Sequence, residues 1–127
     1  MSIVINDLKY TKDHEWVKVQ GNTATIGIAD YAQHALGDIV YVELPDIGKE
    51  FKAGSTFAVI ESVKAASDSY MPIGGKVLEV NETIVDDPSL LNKDAYANWM
   101  IKIEITNAAD LDALMDAAAY TEFLGGE

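Results

Sequence analysis

Residues 15–28 read EWVKVQGNTATIGI. Glu15-Trp16-Val17-Lys18-Val19 alternates, Gly21-Asn22 supplies a turn, and Thr23-Ala24-Thr25-Ile26-Gly27-Ile28 alternates again. Side chains on a strand point to opposite faces in turn, so this pattern reads as a β-hairpin with one face in a core. Working outward, Ile39–Leu44, Phe57–Ser62, Lys76–Val80 and Met100–Ile105 are further short apolar stretches. Turn residues separate them at Pro45-Asp46, Gly48-Lys49, Ala53-Gly54, Gly74-Gly75 and Asp87-Pro88. Short strands at such spacing predict a mainly β protein, a sandwich or barrel.

Two helices are expected to interrupt this pattern. Asp30 is placed to cap a short one, with Gln33 as its capping-box partner and Gly37 at the exit. At the other end Leu111, Leu114, Met115, Ala118 and Ala119 recur at helical spacing. Asn107 or Asp110 is expected to cap that helix and Gly125-Gly126 to stop it, which predicts a C-terminal amphipathic helix over about 108–124. Val40–Gly54 and Val77–Ser89 are loosely similar strand-then-turn stretches on either side of Lys64. A two-fold β arrangement of that kind puts Lys64 at the tip of a hairpin.

The chain has 127 residues, 49% hydrophobic and 24% charged, which suits one soluble domain spanning 1–127. No window approaches 18 consecutive apolar residues, and MSIVINDLKY lacks signal-peptide and transit-peptide patterns. The expected location is the bacterial cytoplasm, or the mitochondrial matrix for a trimmed mature chain. A net charge of −12 repels phosphate backbones and anionic lipid, so neither nucleic acid nor a membrane is an expected partner. There are no cysteines, which excludes disulfides, thiolate nucleophiles and Cys-type metal sites.

No catalytic or metal site assembles from the composition. His14 and His34 lack the spacing of zinc ligands, and His34 falls in the short helix, facing solvent. No G-x-S-x-G occurs, and Gly74-Gly75 precedes a strand rather than the helix a phosphate loop needs. The residue that stands out is Lys64, in AVIESVKAASDSY over residues 58–70. Val59, Ile60 and Val63 fit a rigid strand entering a turn; Tyr70 and Ile73 fit the strand leaving it. The small neighbours Val63 and Ala65 allow a partner's active site to close over the lysine. Nothing nearby buries the amine as a Schiff-base lysine requires, so acylation by a partner suits it better than catalysis of its own.

Glu61-Ser62-Val63-Lys64-Ala65-Ala66-Ser67-Asp68 resembles the lipoylation motif of the H-protein family of the glycine cleavage system. The likeness covers nearly the whole chain. Leu8-Lys9-Tyr10-Thr11 with His14-Glu15-Trp16-Val17 resembles the family's opening, and Leu36–Pro45 its middle. Pro72 with Gly75–Asn81, and Trp99–Ile103, resemble its later strands. The resemblance implies a hammerhead β-sandwich of lipoyl/biotinyl type with one lipoate in amide linkage on Lys64. It implies a non-catalytic carrier with four partners: glycine decarboxylase with pyridoxal phosphate, a tetrahydrofolate-dependent aminomethyltransferase, the FAD enzyme dihydrolipoyl dehydrogenase and a lipoate-attaching enzyme; a carrier that visits several enzymes is most simply a monomer. The cofactor brings the dithiol that a cysteine-free chain lacks. By the family's pattern Glu15 and Asp68, with Asp13, form the pocket that offers acids to an amine on the arm. Met71, Gly74 and Ala35 depart from the family's usual residues without touching Lys64 or Glu61. Three other roles use the same lysine or leave it bare: a relay donating lipoate to 2-oxoacid dehydrogenases, a biotinyl carrier, and a purely structural β protein. Biotin carriers flank their lysine with methionines, unlike Val63 and Ala65.

Overall fold

The hairpin expected over residues 15–28 is present in the computed structural model, which describes residues 3–125. In chain order the strands are β1 (Lys9–Tyr10), β2 (Glu15–Gln20), β3 (Thr23–Ile28), β4 (Ile39–Glu43), β5 (Glu50–Phe51), β6 (Thr56–Ser62), β7 (Ala66–Tyr70), β8 (Gly75–Val80) and β9 (Ile101–Ile105). They form two antiparallel sheets among the described residues, ordered β1-β2-β3-β9-β8-β5 and β4-β6-β7. Gln20 pairs with Thr23, and Gly21 takes the left-handed φ of 61° that a two-residue hairpin turn demands.

The alternation in β3 sends Ala24, Ile26 and Ile28 inward, where they share one core with Val77, Ile101 and Ile103 of the same sheet. Val42, Phe57, Ala58 and Ile60 of the smaller sheet complete that core. Burying each large aliphatic side chain contributes about 1.5–3 kcal/mol. A second cluster joins Leu8, Tyr10, Trp16, Ala29 and Tyr120, with the Tyr10 and Tyr120 rings stacked 4.3 Å apart.

Several expectations change. The first helix, α1 (Asp30–Leu36), is capped by Ala29, not Asp30. Asp30 is already helical, and its carboxylate is taken by Gln33 Nε2 at 2.9 Å and the amide of Ile3 at 2.8 Å. Gly37 does end the helix, with φ 78°, and His34 is exposed. Two short helices that the strand-and-turn reading missed, α2 (Glu82–Asp86) and α3 (Leu90–Lys93), bring Ile84 and Leu91 into the core. They also break the symmetry of the two half-repeats.

The C-terminal helix is shorter than expected. Ala108–Ala113 form a 3-10 turn, Leu114 is extended, and α4 spans Ala117–Gly125. The break lies at Met115, whose N–H and C=O both bond to the backbone of Tyr10, at 2.9 and 2.8 Å. A residue pairing as a strand cannot continue a helix. Asp110 therefore caps no α-helix; its carboxylate receives the amide of Gly74 at 2.9 Å. Asp116 instead accepts the N–H of Ala119 at 2.8 Å. Ala118 and Ala119 are exposed, while Tyr120 is buried beside Phe123 and Leu124. The stop assigned to Gly126 falls outside the described residues.

Candidate functional site

Lys64 stands in the three-residue loop Val63–Ala65 between β6 and β7, the hairpin tip expected of it. Glu61 pairs with Ala66 just below the loop. One side chain organises the turn. The Ser62 amide donates to Ala65 O at 2.7 Å, and Ser62 Oγ accepts the amides of Lys64 at 3.3 Å and Ala65 at 3.1 Å. Serine hydroxyls commonly close turns in this way.

The turn is also fastened from outside. Val63 N–H donates to Asp38 O at 3.0 Å. Asp38 sits between Gly37 and Ile39, and Asn92 of α3 holds both: its amide donates to Gly37 O at 2.8 Å, and its Oδ1 accepts Ile39 N–H at 2.9 Å. Asn92 also donates to Gln33 Oε1 at 3.0 Å, and Gln33 donates to Asp30. Asp30 and Gln33 are buried, so this chain of bonds leaves each buried polar group partnered. The lysine stem lies over Gly37, where an added Cβ would sit 3.6 Å from Lys64 Cε. Lys64 and Val63 are exposed, and among the described residues no carboxylate lies within ion-pair distance of the ammonium. The arrangement presents a free primary amine on an ordered tip.

The acids of the expected pocket separate into two environments. Glu15 is 2% exposed and lies opposite Ile28 on the inward face of the β2–β3 hairpin. Its Oε1 accepts Thr11 Oγ at 2.6 Å and its Oε2 accepts the Tyr70 amide at 3.3 Å. Burial pushes its carboxyl up to about 7; the Thr11 and Tyr70 hydrogen bonds pull the other way, and the charge of Asp13 adds to the rise. Asp13 is exposed and close enough to act on Glu15. Asp68 is exposed on β7 opposite Val59, two residues from Tyr70 and so on the same strand face. The structure joins Glu15 to Asp13 and to β7, and gives Asp68 no direct bond to either acid. His14 is occupied elsewhere, its Nδ1 2.8 Å from Tyr120 Oη.

Thr11, Asp38 and Asn92 support the site without having been singled out as site residues in the sequence. A threonine two residues before Asp13 and four before Glu15 is the local signal for a hydroxyl-closed turn. Asn92 has no such signal, since its partners lie 53 to 59 residues away.

A profile of the glycine cleavage H-protein family matches residues 8–127. The chain belongs to this family. It is 60% identical over 124 residues to the glycine cleavage system H protein of Thermoanaerobacter pseudethanolicus, with 98% of each chain covered. The H protein of Carboxydothermus hydrogenoformans is 55% identical over 128 residues, covering 100% of this chain and 98% of its own. A crystal structure of a glycine cleavage system H protein from Mycobacterium marinum superimposes with a TM-score of 0.88 at 35% identity, covering 96% of this chain and 99% of that one. The family resemblance read from residues 61–68 is borne out, and so is the mainly β sandwich it implied. No helix among the described residues is long and apolar enough to cross a membrane.

Proposed function

We propose that the chain is a non-catalytic carrier, one domain over 1–127, with lipoate in amide linkage on Lys64. Its partners on this reading are glycine decarboxylase, the tetrahydrofolate-dependent aminomethyltransferase, dihydrolipoyl dehydrogenase and a lipoate-attaching enzyme, met by a monomer in the cytoplasm. When bound, the lipoyl group would supply a disulfide able to take up an aminomethyl group as it is reduced, and the dithiol left once that group is released would be reoxidised by the third enzyme.

The observation that carries this reading is the Lys64 turn in a chain of the H-protein family. The residues present fit the group. An exposed primary amine on an ordered three-residue loop is open to acylation, and Ser62 and Asp38 hold that loop in one shape. Gly37, at φ 78°, ends α1 beneath the lysine stem. The tether keeps its far end at high effective concentration near a docked enzyme. Glu15, Asp13 and Asp68 are acids placed to favour a cationic amine, and burial of Glu15 makes its charge count for more than a solvated one.

Peptide mapping by mass spectrometry after incubation with lipoate, ATP and a lipoate ligase tests the proposal. The expected result is one lipoyl addition, on Lys64 alone, with Lys64→Arg unable to support glycine decarboxylation by the partner enzymes. Folded protein that takes no lipoyl group, or a Lys64→Arg chain that still supports decarboxylation, refutes it.

A further inference from the structure

The hydroxyl of Thr11 makes three hydrogen bonds, which is its full capacity. It accepts the amides of Asp13 at 3.2 Å and Glu15 at 3.1 Å, and it lies 2.6 Å from Glu15 Oε1. A hydroxyl has one proton and two lone pairs. Both lone pairs face N–H donors that cannot act as acceptors, so the proton is directed at the carboxylate. The bond length lies in the range of a hydroxyl donating to an ionised oxygen. A proton placed on Oε1 would meet an oxygen with no lone pair left to receive it.

The same threonine closes the backbone around the acid. Its N–H donates to Glu15 O at 3.0 Å and its C=O accepts His14 N–H at 3.1 Å. His14 takes the left-handed φ of 68°, which turns the chain so that Asp13 and Glu15 both lie by the Thr11 hydroxyl. The groups that act on the Glu15 carboxylate are the Thr11 hydroxyl and Asp13 from this loop and the Tyr70 amide from β7.

We propose that Thr11 is a positioning residue of the acid site: its hydroxyl orients the Glu15 carboxylate and favours the charged form that a cationic amine needs, against the burial that opposes it. Oε1 is spent on this clamp, and Oε2 keeps only the longer bond from Tyr70. The use of the charge rests on the carrier reading above. The clamp itself does not, because it exists in the chain without any group on Lys64.

The test is carried out on the unacylated full chain, so a failure of Lys64 lipoylation leaves it standing. Carboxyl-carbon NMR follows the titration of Glu15 in the unsubstituted protein, in Thr11→Val and in Thr11→Ser. A lost hydrogen bond to a charged group predicts a midpoint about one to two pH units higher in Thr11→Val, restored in Thr11→Ser. With a starting midpoint near 7, one unit lowers the charged fraction at pH 7 from about a half to about a tenth. Equal midpoints in all three proteins overturn the proposal, as does a serine variant shifted as far as the valine one. A direct measurement covers a valine variant that does not fold. In the unsubstituted protein the Thr11 hydroxyl proton should exchange slowly and its shift should follow the Glu15 titration; exchange as fast as that of an exposed threonine overturns the assignment.

Discussion

Glu15 Oε2 accepts the backbone amide of Tyr70 at 3.3 Å, so a buried carboxylate on β2 is fastened to the strand that leaves the Lys64 turn. That burial sets a pH dependence. The carboxyl stands at about 7 against an ordinary 4.5, a difference of about 3 kcal/mol. Between these values the folded chain keeps a proton that the unfolded chain has released. The contribution to stability is therefore full below pH 4.5 and is lost as pH rises through 7. Glu15→Gln removes this slope, so its stability relative to the unsubstituted protein should rise by up to about 3 kcal/mol from pH 4.5 to pH 8. Urea midpoints at the two pH values read the difference, and parallel profiles would contradict it.

Ser62→Ala should separate turn order from fold stability. The hydroxyl serves two exposed amides, so its loss should cost the whole protein less than about 1 kcal/mol. On the carrier reading, the loop then has to be ordered by the enzyme that acylates Lys64. A loss of about 1 kcal/mol in turn order, taken over both bonds, corresponds to acylation about fivefold slower. Thermal unfolding and the initial rate of lipoylation measure the two effects. An unchanged rate would show that the enzyme does not need the ordered turn.

Asn92→Ala acts on the same turn from behind. It removes the bonds to Gln33, Gly37 and Ile39 and strands polar groups in a largely buried setting. The expected loss is about 2–3 kcal/mol in denaturant unfolding, and amide exchange at Val63 should quicken because its acceptor, Asp38 O, sits between two released residues. Exchange at Val63 matching the unsubstituted protein would break the proposed link.

Adjacent glycines should behave differently. A Cβ on Gly75 would meet Ile103 Cδ1 at 2.5 Å and the carbonyl of Glu104 at 2.8 Å, and backbone cannot step aside. Gly75→Ala should cost about 1–3 kcal/mol. At Gly74 the nearest atoms are the ends of Asp110 and Thr106 side chains, both at 3.3 Å. Gly74→Ser should stay within about 0.5 kcal/mol. Calorimetric melting of both variants decides the matter; equal losses would mean that β8–β9 spacing is not the constraint.

What was legible in the sequence was whatever obeyed a local rule. The EWVKVQGNTATIGI hairpin has a period and a turn, and the tip at Lys64 lies between two strand-like stretches. Most of the misreadings arise where contacts made in the fold outvote local preference. Residues 108–124 keep a helical period, yet Met115 is claimed by Tyr10 across more than a hundred residues. Asp30 has a capping residue's chemistry, yet Ile3 and Gln33 take its oxygens. Strands as short as Glu50–Phe51 show no period at all. Glu15 lies on the same face of β2 as the buried Val17, and only the fold supplies the Thr11 hydroxyl and Tyr70 amide that partner a carboxylate there.

Charge should govern how fast the chain meets its partners. A net −12 on 127 residues gives a field that guides basic patches on other proteins towards it, a force that acts on approach more than on the final contact. The screening distance shrinks from about 30 Å at 0.01 M salt to about 3 Å at 1 M. Association with each partner enzyme should therefore slow by about tenfold or more over that range, while dissociation changes much less. Stopped-flow association rates against ionic strength measure this directly. Rates that stay flat would mean that the acidity keeps the chain soluble and takes no part in bringing it to its enzymes.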